Sequence, residues 1–263
     1  MCRFVAYQGT PLFHADLVCN PANSLVQQSM SAQKGKTQIN GDGFGLGWYG
    51  QDLEPRICRS AEPAWADEKL QGISTQVRSS LFFAHVRAST GAAAAVTNCH
   101  PFARRNWLFM HNGQIDAYSK VRHAIESLNS GRSADKQMGT TDSEAIFLTA
   151  PVQDLGGNPV HAVASTLRAI ARLMADAAIQ EPLRFNAVLT NGTDLFGFRW
   201  ASDDLPPRLY YRHIMFGLTL ASEPVDGARE NWKELANASV MISRPGNAPI
   251  VCSLEPVLST IAA

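Results

Sequence analysis

The stretch Leu81-Phe82-Phe83-Ala84-His85-Val86-Arg87-Ala88 is apolar at most positions, and its length and aromatic and β-branched content predict a buried strand. Successive side chains of a strand point to opposite faces. Phe83, His85 and Arg87 therefore share one face, and Phe82, Ala84 and Val86 the other. A strand that carries His and Arg on one face aims them at something. Taken singly, Arg87 fits a structural ion pair equally well, and His85 fits a satisfied core histidine.

Working outward, residues 2–8 (CRFVAYQ) alternate in part and predict a first strand that holds Cys2 at the end of a sheet. Asn23-Ser24 ahead of Leu25, Val26 and Met30 predicts a capped helix. Gly41-Asp42-Gly43-Phe44-Gly45-Leu46-Gly47-Trp48-Tyr49 has neither the Walker Lys-Ser/Thr nor the order of a dinucleotide loop. Its alternate glycines suit a strand with one face kept bare for a close backbone or ligand, which predicts a pocket wall. Residues 65–78 predict a surface helix. Trp107 to Met110 predicts an apolar strand running into His111-Asn112-Gly113, a turn signal that also offers two hydrogen-bond donors.

Further on, Tyr118, Val121, Ile125 and Leu128 mark one helix and residues 140–150 another, with Thr141 to Glu144 as its capping segment. Apolar residues at 160, 163, 164, 167, 170, 171 and 174 define an amphipathic helix that should pack on a sheet. Residues 184–190, 195–200, 208–213 and 216–221 read as successive strands, the first two joined by the hairpin signal Asn191-Gly192. Residues 232–235 read as a helical turn and residues 238–243 as a final strong strand. No repeat, low-complexity tract or linker divides residues 1–263, so one domain is expected.

Composition narrows the function. Among 263 residues, Lys plus Arg and Asp plus Glu both number 23, which gives no basic surplus for a phosphate backbone, so no nucleic-acid partner is expected. No run approaches the length of about eighteen apolar residues that a membrane span needs, and no signal-peptide pattern opens the chain. A cytoplasmic protein without membrane association is expected. The five cysteines, Cys2, Cys19, Cys58, Cys99 and Cys252, lack paired CxxC spacing, so neither a metal nor another cofactor is expected.

Met1-Cys2 carries a chemical possibility of its own. With Met1 removed, Cys2 would bear a thiol and a free α-amine on one carbon. An α-amine titrates near pKa ~7.7–8.0 and a thiol near ~8.5, so the amine can take the thiol proton directly or through a water.

Cys2, Arg87-Ala88-Ser89-Thr90, Asn98-x-His100-Pro101, His111-Asn112-Gly113 and Thr141-Asp142-Ser143-Glu144, in this order, resemble the motif series of class II glutamine amidotransferases, the N-terminal-nucleophile glutaminases. Residues 40–49 and Ser222-Glu223-Pro224 further resemble the stand-alone, single-domain branch, which includes γ-glutamyl amide hydrolases of thiol metabolism. The resemblance spans essentially the whole chain and departs at Asn40, where the branch usually has His. It implies an α+β fold, a four-layer α/β/β/α sandwich of the N-terminal nucleophile hydrolase type, which the alternation of strands and helices permits.

The resemblance also implies roles. Cys2 would attack the glutamine carboxamide and form a γ-glutamyl thioester, with Asn112 and the Gly113 N–H as oxyanion donors. Arg87 would grip the substrate α-carboxylate and Asp142 the α-ammonium, with Thr90 and His111 completing the substrate pocket. His85, His100, Glu144 and Glu223 read as loop supports. The leading expectation is a glutaminase that releases ammonia for a separate acceptor synthase. A hydrolase of another γ-glutamyl conjugate and a non-catalytic glutamine-binding protein are the alternatives.

Overall fold

The period-two pattern is realised over residues 81–86 with both faces covered, and the strand ends at Val86, so Arg87 and Ala88 lie just beyond it. The computed structural model describes residues 2–31, 39–89, 94–129 and 136–259; Met1 and Thr90 lie outside them. Its strands are β1 (Arg3–Phe13), β2 (Phe44–Tyr49), β3 (Pro55–Ser60), β4 (Arg78–Val86), β5 (Phe102–Arg104), β6 (Trp107–His111), β7 (Gln114–Ile115), β8 (Leu183–Thr190), β9 (Leu195–Ala201), β10 (Tyr210–Ile214), β11 (Gly217–Ala221), β12 (Lys233–Glu234), β13 (Ser239–Ser243) and β14 (Ile250–Ser253). The helices are α1 (Ala15–Val18), α2 (Leu25–Met30), α3 (Glu68–Gln76), α4 (Tyr118–Leu128), α5 (Asp142–Thr149), α6 (Val152–Gly157), α7 (Pro159–Asp176) and α8 (Glu255–Ser259).

Two antiparallel sheets result. One runs β12-β10-β11-β1-β4-β2-β3 and the other β14-β13-β9-β8-β6-β5, with β7 paired to β8. Leu81 and Phe83 of β4 join Phe4, Leu108, Met110 and Val188 in an apolar layer between the sheets. Phe82, Ala84 and Val86 face outward onto Leu17, Val18, Leu25 and Leu70 of α1, α2 and α3. On the far side, Phe109, Phe185 and Leu189 of the second sheet meet Val121, Ile125, Phe147, Leu167 and Ile170 of α4, α5 and α7. Each large side chain so covered contributes roughly 1.5–3 kcal/mol. Three apolar layers separate four layers of structure, an α/β/β/α sandwich.

Local signals account for several boundaries. Ser24 caps α2 by accepting from the Gln27 N–H, Asp67 caps α3, and Thr141 caps α5. Two expectations are corrected. Residues 232–235 do not form a helical turn, because Lys233 and Glu234 pair with Tyr211 and Tyr210 as edge strand β12. The bare face of β2 is not a pocket wall. A Cβ on Gly45 would lie 1.9 Å from the His100 carbonyl oxygen, and one on Gly47 2.6 Å from Pro101, so the glycines admit a neighbouring backbone rather than a ligand. Strand β1 is also longer than residues 2–8, and β3, β5 and β14 are additional to the expected strands.

Candidate active site

Strand β1 is central in its sheet. Its first residue, Arg3, pairs with Val86 at the end of β4, and Val5 pairs with Ala221 at the end of β11. Cys2 is thereby held beside the segment that leaves β4. The Ala88 N–H points at Cys2 Sγ, 3.5 Å away, and Sγ lies 3.6 Å from the Ala88 carbonyl oxygen. Burial pushes the Cys2 thiol up; the Ala88 backbone hydrogen bond and the Arg87 charge pull it down, and Asp142 pushes it up again. A thiol so placed needs a base to act near neutral pH.

Arg87 is buried, with guanidinium contacts of 3.3 Å to the Asp42 carbonyl and 3.4 Å to Ser89 Oγ. Asp42 organises this corner further by accepting the Ser89 N–H at 2.7 Å. The guanidinium presents a planar fork of five donors, suited to a carboxylate.

The second sheet contributes the opposite wall. After β6, the Asn112 N–H donates to the Asn186 carbonyl at 2.7 Å, and its side-chain amide donates to Ser222 Oγ at 3.5 Å. Gly113 sits where a Cβ would meet the Arg184 carbonyl oxygen at 2.0 Å and His111 Nε2 at 2.5 Å. The need for glycine there is thus set by a neighbouring strand. Asp142 opens α5, with Oδ2 accepting the Ile115 N–H at 2.8 Å and Oδ1 accepting the Ser143 N–H at 2.8 Å. A carboxylate has about four acceptor sites, which leaves capacity for an ammonium.

Both ring nitrogens of His111 engage the protein, Nδ1 with Ser143 Oγ at 2.9 Å and Nε2 with the Arg184 carbonyl at 3.3 Å. Burial lowers its pKa, against the opposing influence of Asp142 and the Arg184 carbonyl. The rings of His85 and His100 meet at a tilt with their centroids 4.2 Å apart. Burial brings His85 down to about 3 and His100 well below the ordinary range, so both are neutral imidazoles beside the Arg87 cation.

Cys2, Arg87, His111, Asn112, Gly113 and Asp142 all line one cavity of about 600 Å³. Of the expected site residues only Thr90 lies outside the described segments. His100 also reaches the cavity, whereas Glu144 accepts the Met138 and Gly139 N–H groups at 2.9 and 2.7 Å and acts as a loop support. Asn98 does the same for Thr140. Asn40 is fully buried, its N–H donating to the Ser29 carbonyl at 2.7 Å. Sequence reasoning passed over the Ala88 N–H, a backbone group with no side-chain signal, and Asp42, which it took only as part of the glycine-rich segment read as a strand. It also passed over Asp116, Tyr118 and Arg122, which line the cavity from the start of α4. Among the described residues no group of three or more His, Cys, Asp or Glu is placed to hold a metal ion, and no helix is long and apolar enough to cross a membrane.

Comparison with known proteins bears on the family and the fold. The family model of class-II glutamine amidotransferases matches residues 15–219. A γ-glutamyl-hercynylcysteine sulfoxide hydrolase of Mycolicibacterium smegmatis is 30% identical over 95% of this chain and 99% of its own. A probable glutamine amidotransferase of Saccharomyces cerevisiae is 35% identical over 56% of this chain, and the aligned region spans 44% of that protein's length. Among solved structures, a glutamine aminotransferase class-II domain protein from Silicibacter pomeroyi superposes with a TM-score of 0.73 at 30% identity, covering 96% of this chain and 99% of that one. The glutamine PRPP amidotransferase of B. subtilis, 12% identical with a TM-score of 0.59 over 96% of this chain and 49% of its own, shares the fold. A chain with this sandwich and this cavity, matched by the family model over most of its length, belongs to the class II glutamine amidotransferases.

Proposed function

We propose that the chain hydrolyses a γ-glutamyl amide through Cys2. The reading is carried by one juxtaposition: a half-buried thiol, a guanidinium, a carboxylate and the Asn112-Gly113 turn share a single cavity. Arg87 takes the substrate α-carboxylate and Asp142 the α-ammonium, which selects an amino acid end and leaves the side-chain amide to reach Cys2. His111, occupied on both nitrogens, holds the start of α5 and forms a wall of the substrate pocket.

Removal of Met1 supplies the base. The Cys2 α-amine takes the thiol proton, Sγ bonds to the amide carbon, and the negative charge of the tetrahedral oxygen is met by the Asn112 side chain and the Gly113 N–H. One such donor is worth about 2.7–4 kcal/mol of barrier. The C–N bond breaks as the nitrogen takes a proton and leaves as ammonia or an amine. Water, losing its proton to the α-amine, then adds to the thioester; C–S cleavage restores the thiol and releases glutamate.

For glutamine itself, the product ammonia would pass to a separate acceptor synthase. A second reading is favoured by the size of the cavity. Clefts of about 300–1,000 Å³ take drug-sized ligands, and Asp116, Tyr118 and Arg122 line the same cavity in addition to the residues of the glutamyl grip. A γ-glutamyl conjugate larger than glutamine fits that arrangement, in keeping with the name of the Mycolicibacterium smegmatis relative. The test is intact mass of protein from its native cell before and after a glutamine-mimicking electrophile, with amine release measured from glutamine and from γ-glutamyl conjugates. Loss of Met1 with single labelling at Cys2 is expected. A chain that retains Met1 and takes no label would sink the catalytic reading in favour of glutamine binding alone.

A further inference from the structure

Ser222 and Glu223, at the exit of β11, connect to Asn112 directly and to Cys2 through Arg3. The β1–β11 ladder continues one step past Ala221, so that the Ser222 N–H donates to the Phe4 carbonyl at 3.1 Å. Ser222 Oγ accepts the Phe4 N–H at 3.1 Å and the Asn112 side-chain amide at 3.5 Å. One hydroxyl thus joins the backbone two residues from the thiol to the amide proposed as oxyanion donor, across the two sheets. An amide NH₂ has two N–H groups. With one committed to Ser222, the direction of the other is set.

Glu223 completes the arrangement. Its carboxylate lies 3.5 Å from Arg3 Nε, with side-chain exposures of 1% and 3%, and Arg3 Nη1 donates to the Cys2 carbonyl at 3.0 Å. Arg229 stands 3.9 Å from the other carboxylate oxygen. The segment is itself pinned from behind, since Gln28 donates to the Glu223 carbonyl at 3.4 Å and Asn23 to the Pro224 carbonyl at 2.5 Å. A buried ion pair returns little net folding energy, because desolvation offsets its attraction. What this one gives is a fixed line from a clamped loop through Arg3 to the main chain of Cys2.

We propose that Ser222 and Glu223 are positioning residues that register the nucleophile against its oxyanion donor, Glu223 through Arg3 to Cys2 and Ser222 through Asn112. The proposal rests on the reading of Cys2 and Asn112 given above. It deepens that reading, since adjacent residues of one loop set the distance and angle between the attacking sulfur and the developing oxyanion.

The test is kcat per Cys2 site titrated with a glutamine-mimicking electrophile, in Ser222→Ala, Glu223→Gln, Asn112→Ala and the Ser222→Ala/Asn112→Ala double variant. Misplacement of reacting groups by about 1 Å costs on the order of 10²-fold, so each single variant should lose kcat on that scale with KM unchanged. Ser222→Ala should cost nothing further once Asn112 is Ala. Arg3→Lys, which retains the charge but alters the reach to the Cys2 carbonyl, reads the same tether if Glu223→Gln does not fold. Wild-type kcat per titrated site in folded Ser222→Ala and in the tether variant that folds, or full additivity with Asn112→Ala, overturns the proposal. A Cys2→Ala control separates the two levels. If it is inactive while the positioning variants are normal, only the positioning role fails; if it is active, the nucleophile reading fails and the positioning role with it.

Discussion

The Ile115 N–H donates to Asp142 Oδ2 at 2.8 Å, so the carboxylate at the head of α5 is anchored by the short strand that follows the Asn112-Gly113 turn. Anchoring and charge can be separated. In Asp142→Asn the one side-chain oxygen can still accept the Ile115 N–H, while the negative charge is lost together with the acceptor that Oδ1 offers the Ser143 N–H. We expect the fold to persist and KM for glutamine to rise roughly 10–100-fold, the worth of a hydrogen bond to a charged group. Asp142 is also one of the influences that raise the Cys2 thiol. The pH midpoint of Cys2 alkylation should therefore move down in the variant, and an unchanged midpoint would refute the coupling.

Arg87→Lys separates fork from charge in the opposite corner. The cation that pulls the Cys2 thiol down remains, so the alkylation profile should stay in place. The bidentate geometry is lost. A rise in KM without a shift in that profile is expected from steady-state and alkylation measurements made on the same preparation.

Gly113→Ala brings a methyl into contact with the Arg184 carbonyl oxygen at 2.0 Å and His111 Nε2 at 2.5 Å. Strand β8 or the turn must give way. Overpacking of this kind costs about 1–3 kcal/mol, to be read as a lower denaturant midpoint. Activity per folded molecule should fall as well, because the same shift moves the Gly113 N–H.

Acid should unfold the protein through histidines held neutral. His14 is fully buried, stacked on Phe82 at 4.3 Å, and burial brings it down to about 4. An unfolded histidine titrates near 6.5. Above that pH both states are neutral and the contribution is whole. Between 6.5 and about 4 the unfolded chain binds a proton that the folded chain refuses, so stability falls by about 1.4 kcal/mol per pH unit for this group. His85, brought down to about 3, acts in the same direction. Equilibrium unfolding of His14→Phe at pH 7, 6 and 5 should show a shallower loss than wild type; an equal slope would exclude His14 as a source.

What was legible in the chain followed from local periodicity. Residues 81–88 and 107–110 read as strands because both faces are covered, and Ser24 and Thr141 announced helix starts because a hydroxyl can satisfy an N–H within the same turn. Strand β12 was not legible, since its pair of exposed residues carries no alternation. The bare face of β2 was visible as alternating glycine, but not its neighbour, because the His100-Pro101 backbone arrives from another part of the chain. In the site, strand periodicity marked Arg87 as aimed at something but left a structural ion pair equally open, and Asp142 read as part of a helix cap, so the roles of both came only through the resemblance of their surrounding motifs. The hydroxyl of Ser222 had no such signal for Asn112, which lies 110 positions away in sequence.

The pairing of β1 with β11 has a consequence for the order in which the protein is made. Arg87, Asn112 and Asp142 all precede residue 150, yet Ser222, which bonds Phe4 two residues after Cys2, belongs to a strand exit more than two hundred positions downstream. Contacts of such long sequence separation form late in folding. A chain emerging from the ribosome therefore carries Cys2 from the outset but lacks the Ser222 hydroxyl that joins Phe4 to Asn112 until synthesis has passed β11.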